Sequence, residues 1–204
     1  CFLKIAKVVC GFSIHFTGLT NIPKSGHFLI AAKHQSIIET IAIKLAVPRA
    51  SFILKKQLLS IPICGYFLKR LDNIVIDRAH KTSSIRQIIK QADSLMNTGQ
   101  PIVIFPQGTR VAVGEDGPNY KSSLIKLCTS FDTTLIPLAL NTGVYWPPHD
   151  WHIHPGCAII AFLQPFATNS AQDRQTANIL VEQIAKQIET KSKELVAQAV
   201  APGS

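Results

Sequence analysis

Apolar positions along the chain fall into two rhythms. Short unbroken runs at 12–16, 28–32, 51–54, 74–76, 102–105, 134–140 and 158–163 have the length and apolar character of buried strands. Between them apolar residues recur every three or four positions, the spacing of one helix face. This predicts helices over 37–46, over 84–96 with Ile85, Ile88, Ile89 and Leu95 in register, and over 122–129. A last segment, 172–200, carries Ile179, Leu180, Ile184, Ile188, Leu195 and Val196 on one stripe and predicts a long packing or surface helix. Alternation of strand and helix predicts an α/β fold with a largely parallel mixed sheet flanked by helices, whose ligand site lies at the strand ends and the loops that follow them. No repeat, low-complexity tract or linker divides the chain, so one domain is expected over 1–204.

Composition changes this picture in one respect. Of the 204 residues 47% are hydrophobic and only 16% charged, which excludes a disordered tail and a coiled coil. A mean hydropathy of +0.21 suggests that some apolar surface meets something other than water, a membrane face first of all. No stretch reaches the roughly 18 to 20 apolar residues of a spanning helix. The longest charge-free run, 151–172, is broken by Pro155, Gly156 and Pro165. Because the chain begins with Cys1 rather than Met, an upstream segment with room for a membrane anchor is expected. The five cysteines, Cys1, Cys10, Cys64, Cys128 and Cys157, lack a Cys-x-x-Cys pair and read as buried thiols in a reducing compartment.

Charge is unevenly spread. The excess of +9 comes almost entirely from residues 33–90, which hold 11 basic and 3 acidic side chains. A localised basic region points to an anionic partner, either a substrate phosphate or a surface of acidic lipids, the plain alternative being a solvated basic face. Nucleic acid is disfavoured: the block has few aromatics for stacking and no finger or helix-turn-helix signature. The loop 147–154 gathers His149, His152, His154 and Asp150 but offers neither a helix-borne histidine pair nor cysteines, so it reads as an exposed loop and no metal site is assigned. His15, His27 and His80 read as surface or structural residues.

Two segments carry candidate chemistry. In Ala32-Lys33-His34-Gln35-Ser36-Ile37-Ile38-Glu39 a histidine leaves a buried strand and a carboxylate follows five residues later. Histidine is a natural general base, and a carboxylate on its other ring nitrogen fixes the tautomer and stabilises the imidazolium. Five residues on a regular helix turn through about 140°, so the two meet only if His34 precedes the helix and turns back. Ser36-Ile37-Ile38-Glu39 fits a capping box as well, with Ser36 as N-cap and Glu39 at the third helical position, and the residues alone leave both readings open. In Ile102-Val103-Ile104-Phe105-Pro106-Gln107-Gly108-Thr109-Arg110 a buried strand runs into a turn. There Gly108 lets backbone amides approach a phosphate, Thr109 can donate and Arg110 can grip with its fork; a tight turn with a surface arginine is the alternative.

Together these segments resemble the first and third sequence blocks of the glycerolipid acyltransferases, His-x-x-x-x-Asp and Phe-Pro-Glu-Gly-Thr-Arg, most closely those of the bacterial 1-acylglycerol-3-phosphate branch. The second block is matched by Asn73-Ile74-Val75-Ile76-Asp77-Arg78 and the fourth by Leu135-Ile136-Pro137-Leu138-Ala139, so the likeness runs over about 12–165. The resemblance implies a glycerol-3-phosphate acyltransferase-like fold. It also implies transfer of an acyl chain from acyl carrier protein or coenzyme A, as co-substrate and with no other cofactor, to the free hydroxyl of lysophosphatidate. His34 is then the base and Glu39 its orienting carboxylate. Arg78, Gln107, Gly108, Thr109, Arg110 and Lys121 become the phosphate grip, and that reading requires His34 and Arg110 to face one cavity. Two positions depart from the pattern: Glu39 stands for the usual Asp, and Gln107 for the usual Glu, which bears on acceptor choice more than on the reaction. A relative with another acceptor and a catalytically silent lipid-binding protein are the competing expectations. The basic block would hold the protein against an anionic membrane, the cytoplasmic leaflet of the inner membrane, with 61–68 dipping into the surface or forming a buried turn.

Overall fold

The computed structural model describes residues 2–62, 64–77, 81–115, 117, 120, 122–148, 150, 152–171 and 173–200. The elements follow the order α1 (Phe2–Cys10), β1 (Phe12–Thr17), β2 (Leu29–Ala32), α2 (Ile38–Ala46), β3 (Ser51–Lys55), α3 (Cys64–Leu68), β4 (Ile74–Ile76) and α4 (Lys81–Asn97). They continue with β5 (Ile102–Ile104), α5 (Ser122–Ser130), β6 (Thr134–Leu140), α6 (Thr142–Tyr145), β7 (Gly156–Phe162), β8 (Phe166–Ala167) and α7 (Arg174–Val200). All seven expected strands and four expected helices form. The elements not foreseen, α1, α3, α6 and β8, are short, and two to nine residues give too few turns or alternations for a periodic signal.

The strands make one sheet in the order β1-β7-β6-β2-β5-β3-β4, with β8 beside β6. Strands β2 to β6 run parallel, and β7 pairs antiparallel to β6 and parallel to β1. The sheet is thus mostly parallel, the outcome expected for strands joined by helical crossovers. Pro137 sits inside the central strand β6, where a missing N–H normally costs a ladder bond. Its position explains the tolerance: β7 pairs with 138–140 and β8 with 134–135, so 137 falls where one partner strand gives way to the next.

Alternation along each strand divides the core in two. Leu29, Ala31, Ile102, Ile104, Ile74 and Leu135 face α4, α5 and α7, joining Ile88, Leu127, Ile184 and Ile188. Ile30, Ala32, Val103, Phe52, Ile136 and Leu138 face the other way, under Ala42 and Ile43 of α2. Each fully buried Leu or Ile stabilises the fold by about 1.5–3 kcal/mol. In this parallel set the carboxyl ends of β2, β5 and β6 lie side by side with β2 in the centre, which is where a ligand site in such a sheet forms.

Candidate active site

His34 emerges from the end of β2 before α2 begins and turns back onto it. Its Nδ1 lies 2.8 Å from Glu39 Oε1, so the two meet as the five-residue spacing required. Glu39 is fully buried, 0% exposed, on α2. Its Oε1 also accepts the backbone amides of Gln35 and Ser36, both at 2.7 Å, and its Oε2 accepts the Thr142 hydroxyl at 2.9 Å. An ionised carboxylate only accepts, so Nδ1 is the protonated nitrogen and Nε2 carries the lone pair of a base. Nε2 has no hydrogen-bond partner among the described residues, and the side chain is 20% exposed. The ring stacks on Phe105, centroids 4.0 Å apart, and Phe105 in turn on Phe52 at 6.2 Å. The capping geometry coexists with this role in altered form. Ser36 Oγ accepts the amide of Ile38 at 3.3 Å and Glu39 reaches back to Ser36, but the helix starts at Ile38, which makes Glu39 the second helical residue rather than the third.

The turn after β5 lies against the same strand end. Val111 donates its amide to the His34 carbonyl at 2.8 Å. Gly108 closes a turn onto the Phe105 carbonyl with φ of 71°, a left-handed conformation that glycine adopts without strain. Thr109 and Arg110 are exposed, whereas Gln107 is buried, 2% exposed, and does not share their open side. Arg78 and Lys121 lie outside the described residues.

The match in sequence decides what this arrangement belongs to: the profile of the family described as Acyltransferase covers residues 13–141, more than half of the chain. The chain belongs to the acyltransferase family. It is 35% identical over 74% of its length to a 1-acyl-sn-glycerol-3-phosphate acyltransferase of Pseudomonas aeruginosa, and 24% identical over 83% to a protein of the same description from Saccharomyces cerevisiae. It spans 58% and 57% of the length of these two curated relatives. Its fold is similar to the crystal structure of PlsC, the 1-acyl-sn-glycerophosphate acyltransferase of Thermotoga maritima. The TM-score is 0.78 and the identity 24%, over 96% of this chain and 77% of that one.

A cavity of about 520 Å³ lies on the α7 side, walled by Lys33, Gln35, Gln107, Tyr120 and Glu189 among others, and neither His34 nor Arg110 lines it. Alternation at the strand end is the reason: Lys33 points to the α7 face, where its ammonium pairs with Glu189, while His34 points to the face of Phe105. His34 therefore does not open into this cavity, and its side chain is 20% exposed on the other face. Tyr120 donates toward Glu189 at 3.4 Å, and burial, with that carboxylate beside it, raises the phenol pKa above its ordinary value. Gln107 Oε1 is buried without a partner among the described residues.

Reading the sequence missed Thr142 and Asn141. Asn141 accepts the Ile159 amide at 2.7 Å and donates to the Leu195 carbonyl at 3.1 Å, joining the end of β6 to β7 and α7. The signal available was a polar tripeptide, Asn141-Thr142-Gly143, at the carboxyl end of an apolar strand. Other expectations resolve more simply. His15 and His27 are exposed, and His80, His149 and Trp151 lie outside the described residues. His152 and His154 both turn to Asp150, at 3.1 and 3.7 Å, and no group of three metal-ligating side chains forms among the described residues. The His152 amide holds the Asp150 carboxyl below its usual range. Cys128 is buried, but Cys157 is exposed at the start of β7, correcting the reading of the cysteines as buried thiols.

Proposed function

We propose that the chain transfers an acyl group from the thioester of acyl carrier protein or coenzyme A to the free hydroxyl of lysophosphatidate, giving phosphatidate. His34 Nε2 takes the hydroxyl proton as the oxygen attacks the thioester carbonyl. The C–S bond then breaks, and the departing sulfur receives the proton from the imidazolium, which Glu39 has stabilised throughout. No acyl-enzyme intermediate is needed, and the reaction consumes the thioester and the lysophosphatidate, releasing the thiol, with no further co-reactant. Gly108, Thr109 and Arg110, with Arg78 and Lys121, grip the acceptor phosphate, and positioning of this kind can lower a barrier by about 7 to 11 kcal/mol in the best cases.

The observation that carries this reading is the 2.8 Å contact of His34 Nδ1 with a buried carboxylate, which leaves Nε2 without a partner among the described residues, while the His34 backbone is tied to Val111 at the end of the 107–111 turn. The names of the relatives in Pseudomonas aeruginosa and Saccharomyces cerevisiae support the acceptor. Incubating the protein with labelled acyl-coenzyme A or acyl carrier protein and either lysophosphatidate or glycerol 3-phosphate, then resolving the lipids, tests it. Labelled phosphatidate is expected; transfer to glycerol 3-phosphate alone would reassign the acceptor, and no transfer to either would leave a lipid-binding role.

The same proposal places the protein at an anionic membrane surface. No helix among the described residues is long and apolar enough to cross a membrane. Leu58, Ile61, Tyr66, Phe67 and Leu71 are exposed in 56–71, which removes the reading of 61–68 as a buried turn. Arg70 lies 4.3 Å from the centre of the Tyr66 ring, and an aromatic beside a cation suits the headgroup region of a bilayer.

A further inference from the structure

We infer that Thr142 is a positioning residue for the His34–Glu39 pair, and that Asn141-Thr142-Gly143 is the clamp through which the end of β6 holds that pair. The inference rests on the reading of His34 as the base. Glu39 is buried without access to water, so each of its oxygens depends on donors from the protein. Oε1 has three donors, all from the 34–36 turn, and Oε2 has Thr142 Oγ1, 103 residues away in sequence. The hydroxyl therefore fixes the rotation of the carboxylate about its last bond, and with it the direction in which Oε1 receives Nδ1–H.

The neighbours of Thr142 are fastened to the same turn and to the frame behind it. Gly143 donates its amide to Gln35 Oε1 at 3.2 Å, and a Cβ on Gly143 would lie 3.0 Å from Gln35 Cβ and from Val113 Cγ2. Asn141 is anchored to β7 and α7. One tripeptide thus bonds to the residue after the base, to the carboxylate that orients it, and to two elements of the core. Thr142 does not touch the reacting atoms: it acts through Glu39.

The test is a set of variants assayed for acyl transfer to lysophosphatidate together with their thermal stability. Thr142→Val keeps the shape and removes the donor; the expected result is a fall in kcat of about 10- to 100-fold, the loss that a hydrogen bond to a charged group converts to, with KM for lysophosphatidate little changed. Thr142→Ser is expected to restore most of kcat. In a Glu39→Gln background the Val substitution is expected to cost nothing further, because the pair acts as a unit. Should Thr142→Val fail to fold, Thr142→Ala against Thr142→Ser gives the same kinetic comparison. Equal kcat for the Ser and Ala variants, a loss confined to stability, or full additivity with Glu39→Gln would each overturn the inference. Activity retained by His34→Ala would instead overturn the assignment of the base.

Discussion

The two faces of the sheet are finished differently. On one, α4, α5 and α7 close over Leu29, Ile102, Ile104 and Leu135, and Lys33, just past the end of β2, is buried against Glu189. On the other, α2 and the 56–71 segment cover the core but leave Ile37, Leu45, Tyr66 and Phe67 in the open, the last two 55% and 60% exposed. Lys33 and His34 are consecutive residues on one strand end, yet the first is locked into the frame and the second keeps a ring nitrogen without a partner among the described residues. Side-chain alternation alone separates a group paired in the frame from the one proposed to react.

Substitutions that act on one face and spare the other sharpen this contrast. The largest effect is expected at His34: in His34→Ala acyl transfer falls at least ~100-fold while the melting temperature holds, read by product assay and calorimetry. A parallel loss of folding would break the contrast. Next, Ile184→Ala, on the closed face and 0% exposed, is expected to cost about 2–5 kcal/mol in urea titration, against less than about 0.5 for the half-exposed Leu45→Ala. On the open face, Tyr66→Ser with Phe67→Ser is expected to weaken binding to phosphatidylglycerol-rich vesicles about tenfold or more with no change in stability; unaltered sedimentation with vesicles would remove the membrane reading.

Smaller effects follow on the closed face. Lys33→Met is expected to lower stability by about 1–2 kcal/mol while kcat per folded molecule changes less than about threefold, since Glu189 is partly exposed, keeps the Tyr120 hydroxyl and is screened by water once the ammonium is gone. The Cys128 thiol, pushed up to about 12 by burial, stays protonated. Its contribution to stability is complete below its ordinary value of 9.0 and fades as pH rises toward the folded value, so mild alkali loosens this face. At pH 8 an alkylating reagent is expected to label the exposed Cys157 and spare Cys128 until the chain unfolds, read by mass spectrometry.

Much of this was legible in the chain itself, and for a physical reason. Strands buried on both faces must be unbroken apolar runs, so β2, β5 and β6 announce themselves, and α7 shows its stripe over 27 residues. His34 and Glu39 were legible because their partnership is local, within one turn of chain. Thr142 was marked only by the polar tripeptide that ends β6, and its contact with Glu39 exists because β6 lies next to β2. The fate of Lys33 was equally hidden, because Glu189 sits 156 residues away on α7. The exposure of Tyr66 and Phe67 could be suspected from composition, but deciding between a surface and a buried turn needed the packing of the neighbouring 3-10 turn at 56–60, where Leu59 turns inward and Leu58 does not.

The four donors gathered on Glu39 bear on how the proposed chemistry would proceed. In bulk solvent a newly formed imidazolium must recruit oriented dipoles each time it appears, and that reordering is part of every barrier. Here the dipoles are set while the polypeptide folds and stay set from one turnover to the next, so an arriving substrate meets surroundings already arranged for the charge it will create.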